Sequence, residues 1–143
     1  MRGRLLGLDW GERRVGLALS DETRVVAQPL TTLQRRPGKR LPLTRVAELC
    51  RLHAVSGVIV GLPLEPDGSE GDAARAARTL ADGVARRTAL PVTLWDERLT
   101  TARALRTIKE LGGSTRGRKA DVDALAATVL LQHYLDAKRG TSQ

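Results

Sequence analysis

Residues 5–21 read "LLGLDWGERRVGLALSD". Leu5, Leu6 and Leu8 make one apolar run, and a second extends from Val15 to Leu19. Between them lies "WGERR", with Gly11 at a turn position, so residues 4–9 and 14–20 are predicted as the two strands of a hairpin. Asp9 closes the first strand. An ionised carboxylate at the edge of a core is costly unless a partner compensates it. The chemistry of the chain therefore turns on what Asp9 holds.

Working outward, "RVVAQPLTTL" (24–33) is a third extended stretch, in which Pro29 points to an edge strand or a bulge. "RRPGKR" forms a basic turn, and a helix is expected from about Leu41 to His53. "SGVIVGLP" (56–63) is wholly apolar, the pattern of a strand buried on both faces. After the turn-rich "LEPDGSEGD", Ser69 and Asp72 have the spacing of a capping box for a helix reaching about Thr88. "LPVTLWDE" (90–97) is predicted as another buried strand that ends in two acids. Thr100 or Thr101 then caps a helix ending at Leu111, before Gly112 and Gly113. A polar loop, "STRGRKAD", leads to a last helix over about 120–138, and 139–143 are expected to form a disordered tail.

Three meandering strands followed by alternating helices and strands predict one α/β domain over 1–138. Its mixed five-stranded sheet would carry helices on both faces, as in a ribonuclease H-like three-layer fold.

Composition narrows the partners. The chain of 143 residues carries 24 Lys plus Arg against 16 Asp plus Glu, a formal charge of +8, and twenty of the basic residues are Arg. Guanidinium forks suit phosphate oxygens, and a basic surface attracts polyanions. Two Trp, one Tyr and no Phe leave little for aromatic base stacking, so backbone and shape recognition is favoured. One Cys and two His exclude an internal disulfide and a Cys/His zinc site. Cys50 follows Val46 on a helical apolar stripe and is expected in the core. No signal peptide precedes the first strand and no apolar run approaches the ~18 residues of a membrane span, so a cytoplasmic protein with no membrane contact is expected.

Three acids fall at element ends: Asp9, Glu97 and Asp123. Ligand sites of open α/β sheets lie beyond the carboxyl ends of parallel strands, where Asp9 and Glu97 would converge beneath a helix bringing Asp123. Three carboxylates in one cleft call for a cation, and hard ions such as Mg²⁺ or Mn²⁺, one or two of them, prefer oxygen donors. Humbler roles stay open. Asp9 could bond backbone in the following turn, Asp96 and Glu97 could be solvated loop residues, and Asp121 is placed to be the N-cap of the last helix. If the helix starts elsewhere, Asp121 would join a four-carboxylate site.

"GLDWGERRVGLALSD", "GLPLEPDGSEG", "DERLTT" and "VDALAATVLLQHYL" together resemble, in order and over nearly the whole chain, the motifs of the YqgF/RuvX family. The resemblance implies a ribonuclease H-like fold related to the RuvC Holliday-junction resolvase. It also implies a metal-dependent nuclease, acting in 5′-end maturation of pre-16S rRNA or on four-way DNA junctions. Asp9, Glu97 and Asp123 are the acids it carries over. Where relatives often have Asn after Gly-Leu-Pro, this chain has Glu65 and Pro66, and no catalytic role transfers there.

Arg13, Arg14, Arg98, Arg116, Arg118 and Lys119 are the expected nucleic-acid contacts, toward structured RNA or branched DNA. A monomer or a homodimer is compatible with everything above. Two rival classes remain. One is a phosphotransferase using "DWGERRVG" as a phosphate loop, disfavoured because that fold needs two such domains. The other is an RNA-binding assembly factor without catalysis.

Overall fold

The structure, a computed structural model, describes residues 3–11, 13–34, 42–100 and 119–141. Strands β1 (Arg4–Trp10), β2 (Arg14–Ser20), β3 (Ala27–Gln34), β4 (Val55–Leu62) and β5 (Val92–Asp96) form one sheet in the order β3-β2-β1-β4-β5. The first three pair antiparallel, whereas β4 joins β1, and β5 joins β4, in parallel. Helices α1 (Leu43–Leu52), α2 (Asp72–Thr88) and α3 (Lys119–Thr141) complete the described layers. This is the mixed α/β sandwich that the order of apolar runs predicts, with β1 at its centre.

The hairpin forms as the opening stretch implies. Gly11 donates its backbone N–H to the Arg14 carbonyl at 2.8 Å, which sets the register that pairs Asp9 with Gly16. Pro29 lies on an edge strand and beside a bulge, because the register slips from Leu17↔Thr31 to Ala18↔Pro29. A proline tolerates both, having no N–H to leave unpaired.

Side chains alternate across the sheet, and the two faces differ in kind. One carries Leu6, Leu8, Val15, Leu17, Val58 and Val60, packed on Val46 and Leu49 of α1 and on Ala77, Leu80 and Val84 of α2. Helical spacings of three and four place these residues on single stripes. The opposite face carries Leu5, Ala18 and Ile59, which pack on Ala127, Leu131 and Leu135 of α3.

Between those apolar residues the α3 face is lined with glycine. A Cβ built on Gly7 would lie 2.9 Å from Leu131 Cβ, and one on Gly16 only 2.0 Å from the Asp123 carbonyl oxygen. Backbone thus rests on backbone where α3 crosses β2. Gln132 straps the helix to the sheet edge: its Oε1 accepts from Ala27 N–H and its Nε2 donates to the Val25 carbonyl, each at 2.9 Å.

Several expectations need correction. Ser69 and Asp72 form no capping box. The residue before α2 is Gly71, with no side-chain cap, and Ser69 instead donates to Asp67 Oδ1 at 2.6 Å in a turn built on Gly68. Strand β5 is an edge of the sheet and only half-buried, since no strand follows it in the described order. The last helix begins at Lys119, so Asp121 lies inside its first turn rather than at the N-cap, and Asp123 falls in the second turn. It also continues to Thr141, taking in the start of the stretch expected as tail. The helix expected over 101–111 and the loop 114–118 lie outside the described residues. No described helix is long and apolar enough to cross a membrane.

The close approach at Gly16 generates a test. A methyl group there meets main chain, which cannot rotate aside as a side-chain tip can. Gly16→Ala should cost about 1–3 kcal/mol or more in urea denaturation, the range for overpacking a tight interior. An unchanged midpoint would show that α3 does not rest on β2.

Candidate active site

Asp9, Glu97 and Asp123 are all buried, at 4%, 1% and 5% exposure respectively. Each is brought in by a different element. On β1, odd positions face α3, since Leu5 packs there and Gly7 abuts Leu131, so Asp9 points to the α3 side at the carboxyl end of the strand. Its neighbour on one flank is Gly16, beneath the Asp123 backbone. On the other flank, one step beyond the Leu8↔Val60 pair, is Gly61 of β4.

Glu97 reaches in above Gly61. A Cβ built on that glycine would lie 2.8 Å from Glu97 Oε2 and 2.9 Å from Leu130 Cδ2 of α3. The missing methyl therefore leaves the space into which the carboxylate enters. Glu97 opens a 3₁₀ turn, Glu97–Leu99, capped at one end by Asp96 Oδ1 accepting from Arg98 N–H at 2.9 Å. Thr100 closes the other end by donating its hydroxyl to the Glu97 carbonyl at 3.0 Å. Glycines inside apolar strands often mark close approach of another backbone. That was the available signal for Gly16 and Gly61, which the acid pattern alone does not single out.

All the donors are carboxylate oxygens, the kind that Mg²⁺ and Mn²⁺ favour over softer metals. In kind and placement the residues fit such an ion. In distance they are not yet a ligand set: among the described residues no group of three or more His, Cys, Asp or Glu side chains could hold a metal ion as it stands.

The expected basic contacts divide. Arg13 is exposed in the β1–β2 turn. Arg14 is partly buried on the α3 face, two residues before Gly16, and its Nε is enclosed with no hydrogen-bond partner among the described residues. Arg116 and Arg118 lie outside the described residues. Lys119 starts α3, with its side chain also outside them, as is that of Asp121.

The RuvX family profile, described as Holliday junction resolvase, matches residues 3–137. The chain belongs to the RuvX family. Among its relatives is a protein of Anaeromyxobacter sp. (strain Fw109-5) named for pre-16S rRNA nuclease activity, 45% identical over 94% of this chain and 98% of the relative. One of Myxococcus xanthus (strain DK1622) with the same name is 43% identical over 95% of this chain and 89% of the relative. Among solved structures, RuvC of T. thermophilus in complex with a Holliday junction superposes with a TM-score of 0.55 at 20% identity, covering 98% of each chain. Fowlpox virus resolvase with Holliday junction DNA gives 0.55 at 11% identity, over 94% of this chain and 98% of that one. At these identities the likeness is one of fold, the ribonuclease H-like resolvase fold.

In this RuvX chain Arg98 is engaged within the protein. Its Nη2 donates to Asp96 Oδ2 at 2.9 Å and its Nε to both Asp96 oxygens at 3.2 Å, while Nη1 donates to the Pro66 carbonyl at 3.2 Å. Asp96 accordingly raises the Arg98 guanidinium above its ordinary value. The fork joins the loop after Gly-Leu-Pro to the turn that presents Glu97, a geometry that a lysine cannot reproduce. Arg98→Ala should accelerate amide hydrogen exchange at Gly68, Ser69 and Thr100 and lower the thermal midpoint, with Arg98→Lys recovering only part of each. Unchanged exchange in both variants would remove the clamp.

Proposed function

We propose that this RuvX protein is a metal-dependent nuclease that hydrolyses phosphodiester bonds, with a pre-16S rRNA precursor as substrate. The observation that carries the reading is the burial of Asp9, Glu97 and Asp123 on one face, at the carboxyl end of the central strand. Relatives of nearly the same length, named for pre-16S rRNA nuclease activity, favour RNA. The family description favours a four-way DNA junction as the second reading.

In this scheme Asp9 comes from the central strand of the sheet, while Glu97 and Asp123 close in from a turn and a helix. These three would hold one or two Mg²⁺ or Mn²⁺ ions. Bound there, such an ion lowers the pKa of a water and polarises the phosphoryl oxygens. Arg14 lies on the same face, where its charge would offset that of a backbone phosphate. Arg13, and Arg116, Arg118 and Lys119 ahead of Asp123, would track the backbone on either side.

The test incubates labelled precursor RNA and a four-way junction with the protein in Mg²⁺, in Mn²⁺ or in chelator. Cleavage of the RNA with metal alone is expected. Asp9→Asn, Glu97→Gln and Asp123→Asn should each lose about a hundredfold or more in rate while nucleic-acid binding persists, since an amide is a poor ligand for a hard cation. Asp121→Asn should stay within a few fold of the parent. Cleavage in chelator would refute the metal, junction cleavage alone would select the second reading, and binding without cleavage in any metal would leave a non-catalytic RNA-binding protein.

A further inference from the structure

On the sheet face remote from α3, a cavity of about 300 Å³ opens between α1 and α2. Ala47, Cys50, Val55 and Leu90 give it an apolar floor, and Arg51 and Arg87 stand at its rim. Both arginines are exposed. Arg87 Nη2 donates to Thr44 Oγ1 at 2.6 Å, which fixes its guanidinium across the two helices. Among the described residues neither arginine has an acidic partner, unlike Arg45 with Glu48, Arg75 with Asp72, Arg78 with Glu70 and Arg98 with Asp96. Burial pushes the Cys50 thiol up from its ordinary value, against the opposing charge of Arg51, so the sulfur belongs to the floor and is not a reactive group.

We propose that this cavity is a second contact for the nucleic-acid substrate, seating one unpaired nucleotide of a single-stranded RNA flank. The inference rests on the nucleic-acid reading above. An apolar floor of this size suits a single base, and two guanidinium groups at the rim suit the phosphates on either side of it. Few aromatics are needed, because Arg planes stack on bases as well as pairing with phosphate. A free nucleotide offers the same base and phosphate, whereas an acidic peptide offers charge without a planar apolar group.

Val55 begins β4 and Gly61, its next-to-last residue, lies beside Asp9, so the cavity and the acids lie about 20 Å apart at the ~3.3 Å rise of a strand. The cavity therefore anchors a distant part of the strand. It contributes to affinity and not to the chemical step.

The test measures binding of a labelled single-stranded RNA of about 20 nucleotides, longer than that span, in chelator so that cleavage plays no part. Arg51→Ala/Arg87→Ala should weaken binding at least tenfold and flatten the log-affinity against log-salt slope by about 1.4, two phosphates at ~0.7 each. Arg75→Ala/Arg78→Ala removes the same charge from acid-paired positions and should change affinity less than twofold. Equal effects of the two pairs, or none from the first, overturn the proposal. A nucleoside monophosphate should displace the RNA at lower concentration than inorganic phosphate, and a poly-glutamate competitor should not displace it. Equal potency of nucleotide and phosphate, or displacement by poly-glutamate, also overturns it. In metal, the first pair should raise KM with kcat unchanged, whereas Asp9→Asn should abolish kcat with binding intact. The cavity and the nuclease assignment thus fail separately.

Discussion

The contact on which the molecule depends is that between the main chain of α3 and the glycines of the sheet. Helix layers ordinarily stand off a sheet by the thickness of two sets of side chains, about 10 Å. Here Gly16 offers no side chain beneath Asp123, and the helix drops until its carbonyl occupies the place of a methyl group. Gly61 does the same for Glu97. Carboxylates are short, and only this thinning of the sandwich brings groups from β1, the β5 turn and α3 into one neighbourhood.

The two faces of the sheet consequently have different duties. The α1 and α2 side is a conventional apolar interior, filled by Leu6, Leu8, Leu17 and Val60, and supplies stability by area buried. The α3 side gives up part of that area for proximity. It recovers holding power through directed contacts: Gln132 on the β3 edge, and Trp95 Nε1 donating to His133 Nδ1 at 3.0 Å on the β5 edge. Trp95 also meets the Tyr134 ring edge-on at 5.0 Å between centroids. Both margins of the sheet are thus tied to one helix.

Much of this was legible in the residues. The hairpin follows from two apolar runs around Gly11, the buried β4 from its unbroken apolar pattern, and the places of Asp9 and Glu97 from the ends of their strands. What escaped were features set by neighbours distant in sequence. Whether β5 lies inside or at an edge depends on strand order, and nothing local in "PVTLW" reports it. Ser69 has the spacing of a cap, yet Asp67 is closer and takes its hydroxyl. The last helix starts within a residue of its expected position, but Lys119 and Ala120 carry no distinctive capping chemistry, so Asp121 looks like the N-cap although it lies inside the first turn. Gly16 sits in a strand pattern like any other small residue, and only the helix that arrives more than a hundred positions later gives it meaning.

That last separation has a consequence for biosynthesis. Asp9, Gly16 and Gly61 leave a ribosome before the helix that covers them, which is the final described element. Until residues 119–135 have been made, the sheet presents a shallow trough with Asp9 and Glu97 at its end and Ile59 and Ala18 uncovered. The grouping of buried acids is thus completed only with α3.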